Sequence, residues 1–356
     1  MSTRRIGGGW WMRWGSAFAL TAAMVAGGGI AVAQPTTTAP DAPTLYERHV
    51  PGPPVDEQAR AQIQSILPPC DRHRYTSCET YTERVEQFTK ANPSAPEVIT
   101  GVWSVYIQLN INSQYGLQRS MVVAEVSTLA TWGTPVPGTL DFSVAAHPSG
   151  AVSEEILNFS MPLTDQSNDI VQEPYFAPLA TINTDRTEFT YAYQSHTPAQ
   201  PVTPGPTYKA ASQTLRCDKA QEVNGGTGCV NPDYTPNVAY YSSAYPYIAA
   251  NISADQSATG RGQLGSPLHR TDSGTRDANR AAACSTARTS ALGPPDPTMV
   301  NPECDEYPFA STAEGGATSS IAWVPKTENS AQGDLMASFY RLNRIMTGDA
   351  FTVSTT

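Results

Sequence analysis

Residues 304–325 read CDEYPFASTAEGGATSSIAWVP. Pro308 favours extended backbone just before it, so Asp305 and Glu306 fall on a strand and point to opposite faces. Gly315-Gly316 gives a turn in which the backbone can come close to a ligand. Ser320–Val324 reads as a second strand, stopped by Pro325. Ser330 is placed to cap a helix from Ala331 to about Asn343, with Leu335, Phe339 and Leu342 as its apolar stripe. Ala350–Val353 reads as a closing strand. The order is strand, turn, strand, helix, and three carboxylates, Asp305, Glu306 and Glu314, fall within ten residues.

Upstream of this run the texture differs. Trp103, Val105, Ile107, Leu109 and Ile111 alternate with polar residues, the period of a half-buried strand. Leu140, Phe142 and Val144, then Leu157, Phe159, Met161 and Leu163, then Phe189, Tyr191 and Tyr193 repeat the pattern, with turn residues at the breaks. Such short-spaced strands predict an antiparallel β-sandwich-like domain over 98–215. His147 and His196 sit at strand ends without partners at useful spacing and read as loop histidines. Pro198–Pro206 resembles a linker, but a further strand, TYKAASQTL, follows it, so the boundary falls near Leu215. In front of the strands, DEQARAQIQSIL and TYTERVEQFTK predict two short amphipathic helices within 55–97, either side of Cys70 and Cys78. Residues 34–54, rich in Pro, Thr and Ala, read as a tether.

The first 33 residues carry Arg4, Arg5 and Arg13, an apolar run from Ala17 to Ile30 and Ala31-Val32-Ala33, the pattern of a secretory signal peptide with its cleavage site. The run is interrupted by three glycines and is shorter than the ~20 residues of a membrane span. An exported, extracellular chain with six cysteines predicts disulfides rather than metal thiolates. Pairing of sequence neighbours is expected: Cys70 with Cys78, Cys217 with Cys229, and Cys284 with Cys304. A formal charge of -10 excludes a global basic field that would gather nucleic acid, so any such contact must be local. Thirty prolines and 26 glycines argue for strands and turns over long helices. The fold class is therefore α+β, with a smaller second domain over 216–356.

Acids before the turn and Asn329 at the helix entrance suit a ββα metal nuclease, in which one hard cation is held by few oxygen ligands and keeps places for water and phosphate. The residues go further. DEYPFASTAEGG, then VPKTENSAQG and FYRLNRIMTGDAF, resemble the NucA/NucB deoxyribonuclease family, and SPLHRTDSGTRDANRAAAC and GCVNPDYTP resemble its longer actinobacterial members. The resemblance covers roughly the last 140 residues, from about 216 on. It implies a secreted, metal-dependent endonuclease acting on DNA with Mg²⁺ or Mn²⁺, in which an aspartate replaces a histidine general base.

Carried onto this sequence, the resemblance makes Asp305 the base, with metal ligand as its rival role. Glu314 and Asn329 complete the catalytic set and hold the metal, and Glu306, Glu328 and Gln332 stand behind them. His269 lies well before the strand pair. Arg270, Arg276, Arg280 and Arg288 could grip phosphate, assisted by helix amides near Ser330. Few contacts on an acidic domain predict weak, salt-sensitive binding. No membrane span is expected in the exported chain, a monomer is, and a proteinaceous inhibitor is open. The alternatives are a binding or adhesion protein built on the sandwich, and a phosphodiesterase acting on RNA or small nucleotides.

Overall fold

The computed structural model describes residues 44–52, 70, 72–113, 119–148, 155–164, 168–176, 185–196, 203–223 and 226–356. The expected signal peptide and DEQARAQIQSIL lie outside the described residues. Pro43–Thr356 forms one compact unit. It contains two five-stranded sheets, a three-stranded sheet and a hairpin, with four α-helices among the described residues. None of the helices is long and apolar enough to cross a membrane.

The first sheet has the order β1 (Thr44–Pro51), β2 (Thr76–Lys90), β3 (Val98–Ser113), β4 (Arg119–Gly133), β7 (Asn168–Phe176). The second has the order β10 (Gly228–Val230), β9 (Thr203–Asp218), β8 (Asp185–His196), β5 (Gly138–Pro148), β6 (Glu155–Leu163). All their pairings are antiparallel. Trp103, Val105, Ile107 and Leu109 of the first sheet share one buried core with Leu140, Val144, Met161 and Leu215 of the second. Burial of such side chains, worth roughly 1.5–3 kcal/mol each, drives the two sheets together.

Three expectations are corrected here. TYTERVEQFTK is not helical: it lies in β2, where Tyr81 opposes Ile107 and Val85 opposes Trp103. Its apolar residues fit helical spacing, but Thr80, Thr82 and Thr89 are β-branched. Polar side chains at inward sites, Glu83 at 2% exposure and Gln87 at 0%, hide the alternation. Residues 44–51, expected within the tether, form β1 along β2, and Tyr46 stacks on Phe88 at 5.5 Å. In β3 both faces are buried: Gln108 is 1% exposed and donates to Glu125 at 3.0 Å, so this strand is not half-solvated.

The boundary also moves. Residues 216–230 belong to the second sheet, because Cys229 opposes Cys217 and Val230 opposes Arg216 where β10 pairs with β9. Pro198–Pro206 resembles a linker in sequence, but from Thr203 onward that stretch is part of β9.

Beyond Val230 come β11 (Asn237–Tyr240), α1 (Pro246–Thr259), β12 (Leu268–His269), α2 (Ser273–Ala283), α3 (Thr286–Leu292), β13 (Pro302–Tyr307), β14 (Ser320–Pro325), α4 (Lys326–Leu342) and β15 (Ala350–Thr355). β15 lies between β11, parallel to it, and β12, antiparallel. A second core of Tyr240, Ile248, Leu268, Tyr307, Phe339 and Phe351 packs these elements together. All three expected disulfides are present.

The strand, turn, strand, helix order stands, but α4 starts at Lys326, five residues before the expected Ala331, with Pro325 at its N-cap. Ser330 therefore sits in the second turn, exposed, where backbone amides are already used. The buried face of α4 is Gln332, Met336, Phe339 and Tyr340, while Leu342 is 50% exposed.

Candidate active site

β13 and β14 pair in register, Asp305 opposite Ala322 and Glu306 opposite Ile321, so successive side chains of β13 leave on opposite faces. Asp305 is 2% exposed and faces inward, where the Asn251 amide of α1 donates to its Oδ2 at 3.1 Å. Asn251 is itself fixed, since its Oδ1 accepts from the Ser320 hydroxyl at 2.8 Å. Gln332 of α4 also bears on Asp305 and favours its charged form, and its buried Nε2 has no hydrogen-bond partner at full geometry. Burial dominates the balance: together with the neighbouring Glu306 charge it outweighs both amides and lifts the Asp305 carboxyl to about 7.

Glu306 takes the other face. It lies at a cleft of about 990 Å³ whose walls include Arg270, Arg276, Arg280, Gln332 and Tyr340. Its Oε1 accepts from the Ala310 amide at 3.3 Å and stands 3.8 Å from the Arg280 Nε. Burial raises its pKa, against the pull of Arg280. The sequence separates these two acids correctly, but Glu306, expected behind Asp305, is the one that lines the open cleft. Gln332 connects them, lining the cleft and touching Asp305.

The arginines are positioned by local structure. Asp272 caps α2, accepting from the Gly274 and Thr275 amides at 2.8 and 3.0 Å. That start places Arg276 and Arg280 one turn apart on the cleft side. Arg270 lies 4.6 Å over the Tyr340 ring and donates to the Glu222 carbonyl at 3.0 Å. Arg288 instead donates to the Gly316 and Ser319 carbonyls and holds the loop before β14.

Glu314 enters the turn ahead of Gly315 and Gly316. A Cβ on Gly315 would meet the Phe309 carbonyl oxygen at 2.4 Å, and Gly316 has φ 108°, so only glycine fits both places. The carboxylate of Glu314 takes the His269 backbone amide at 2.9 Å and His269 Nδ1 at 2.7 Å. It lies close enough to Tyr340 for its charge to act on that phenol. His269, dismissed on sequence distance, thus sits against a site carboxylate.

The expected metal pair is not brought together. The Asn329 amide donates to Glu303 at 2.9 Å, level with the start of β13, while Ser311 meets the Tyr340 hydroxyl at 2.9 Å near the far end of α4. Eleven residues separate Asn329 from Tyr340 on that helix, about 16 Å at 1.5 Å per residue. Glu328 is not behind the site either: its Oε1 accepts the Ile248 amide at 2.8 Å and caps the first turn of α1. Asn251 could not have been found from sequence, being 54 positions from the aspartate it serves.

Among the described residues no group of three His, Cys, Asp or Glu side chains is arranged to hold a cation. Glu314 with His269 is the pair that fits a hard cation best, a part-exposed carboxylate and imidazole that water and phosphate could complete.

Residues 256–354 match the family model described as Deoxyribonuclease NucA/NucB. No curated protein gives a match to the chain.

Proposed function

We propose, from a C-terminal domain of the NucA/NucB deoxyribonuclease family spanning residues 256–354, that the protein is an exported endonuclease that hydrolyses DNA phosphodiester bonds. The observation that carries this reading is Asp305, a buried carboxyl lifted to about 7 and connected through Gln332 to a cleft walled by arginines. A group titrating there is matched to proton abstraction at neutral pH.

Arg280, exposed at the cleft, binds the phosphate with a free fork, and Arg270, whose two outer nitrogens each already serve a carbonyl, adds its charge and its remaining N–H groups from the cleft wall. Asp305 is the final acceptor of the attacking water's proton, which a bridging water beside Gln332, the residue that both lines the cleft and bears on Asp305, would accept and pass on, and Asn251 holds the carboxylate in place as it does so. Glu306 keeps Arg280 against the wall and helps hold the Asp305 pKa up. A divalent cation, Mg²⁺ or Mn²⁺, held by Glu314 and His269, would supply Lewis-acid stabilisation of charge on the phosphate oxygens. Asn329 has no part in this reading, because its bond to Glu303 holds it at the start of β13, away from the turn that carries Glu314. The signal-like pattern of the first 33 residues and the three disulfides support export.

A DNA-containing gel incubated with Mg²⁺ or Mn²⁺, beside an RNA-containing one, tests the reading. Clearing of DNA that EDTA abolishes is expected. Clearing of RNA alone would assign a ribonuclease, and no clearing would leave the binding-protein alternative.

A further inference from the structure

The loop between α4 and β15 is gripped by buried charges from both large sheets. Arg74, in the turn leading into β2, is 3% exposed and donates to the Asn343 carbonyl at 2.7 Å, the Arg344 carbonyl at 3.1 Å and Asp349 Oδ2 at 2.8 Å. Arg216, in β9, donates to both Asp349 oxygens at 2.6 and 2.8 Å and to the Arg344 carbonyl at 2.6 Å. Arg344 itself is fully buried on Asp218 of β9 and takes φ 45°, a left-handed conformation that is unfavourable for a non-glycine residue. A loop so constrained cannot shift without breaking several charge-assisted bonds.

The same loop builds the seat of Arg270. The Arg270 amide donates to the Asp349 carbonyl at 3.0 Å and its carbonyl accepts the Gly348 amide at 2.8 Å. Its guanidinium is held by two carbonyls, that of Ile345 in the loop and that of Glu222 at 3.0 Å, just after β9. Glu222 also takes the Thr347 amide and hydroxyl at 3.3 and 2.9 Å, and lines the cleft. Both carbonyls that hold the guanidinium of this cleft cation therefore lie in the gripped loop or the segment after β9, while its backbone bridges Thr312 and the Tyr340 ring lies beneath it.

We infer that the two β-sheets are a working part of the DNA cleft, and that Asp349 is a positioning residue which, clamped by Arg74 and Arg216, aims Arg270 at substrate phosphate. The inference rests on the proposed DNA cleavage. It assigns a task to residues 44–230, which lie outside the 256–354 match.

The test is steady-state cleavage of a DNA duplex by the full chain between 50 and 200 mM salt, with binding of a labelled duplex in EDTA as a readout independent of cleavage. Arg270→Met should raise KM about tenfold, the worth of one charge-assisted bond, and flatten the slope of log affinity against log salt by about 0.9, one phosphate contact. Asp349→Asn should reproduce both effects with kcat within about twofold, and the double variant should be no worse than the poorer single one. Glu222→Ala, an exposed change that leaves the buried charges intact, should raise KM about threefold and decides the matter if Asp349→Asn does not fold. KM and salt slope unchanged in both Asp349→Asn and Glu222→Ala, with only the yield of active enzyme reduced, would overturn the inference and leave the nuclease reading standing. A wild-type chain that neither binds nor cuts DNA would sink both.

Discussion

The Asn251 amide donates to the Asp305 carboxylate at 3.1 Å, and joins helix α1 to the strand that carries the two acids of the site. Without this bond an almost fully buried carboxylate would have one fewer group to stabilise its charge, and its pKa would climb further from about 7. The kcat/KM of DNA cleavage should therefore fall about tenfold per pH unit below pH 7 and level off above it. Asn251→Ala should move that limb to higher pH. A limb that stays in place in the variant would detach the pH dependence from Asp305.

The same carboxyl makes a stability prediction. In the folded protein Asp305 keeps its proton up to about pH 7, whereas unfolded it ionises near the ordinary value of 3.8. Between these values the folded state binds more protons than the unfolded one, so this group's contribution is fully present below about pH 4 and is lost as pH rises to 7. Asp305→Asn, free of the charge, should be more stable than the wild type at pH 8 by on the order of a few kcal/mol and little different at pH 4. Urea titrations at the two pH values measure this; equal differences at both would contradict it.

Glu328 is expected to matter for folding and not for chemistry. Its carboxylate caps α1 at Ile248, so Glu328→Ala should cost about 1 kcal/mol, while Glu328→Gln, which keeps an acceptor, should cost less. Both should retain wild-type kcat and KM at a temperature where they are folded. A loss of kcat in folded Glu328→Gln would return this residue to the active site.

Arg280 and Arg288 should separate in a salt series. Arg280 is exposed at the cleft, and Arg280→Met should flatten the salt dependence of DNA binding by about one phosphate. Arg288 is not in the cleft wall and holds the Gly316 and Ser319 carbonyls, so Arg288→Met should lower Tm and leave the slope alone. Equal slopes for the two variants would remove Arg280 from the phosphate site.

What the sequence made legible was local. Asp305 and Glu306 diverge because a strand alternates, the Gly315-Gly316 turn is a backbone necessity, and cysteine neighbours pair when eight to twenty residues close the loop. What it hid depends on distant contacts. Val85 faces Trp103 only because β2 lies beside β3, and the threonines of TYTERVEQFTK were the weak local sign of it. Ser330 suits a cap by residue type, yet the helix has already started at Lys326 with Pro325 at its N-cap. Glu314 meets His269 across 45 positions, and no local pattern marks that pairing.

The central claim is that Asp305 is the proton acceptor of a DNA-cleaving site, and the most direct measurement compares wild-type protein with Asp305→Asn on duplex DNA at pH 8 with Mg²⁺, with circular dichroism on the same samples to establish folding. The account predicts that the variant is folded, binds DNA in EDTA as the wild type does, and cuts about 10² or more slower. A folded Asp305→Asn protein that cuts at near the wild-type rate would contradict it.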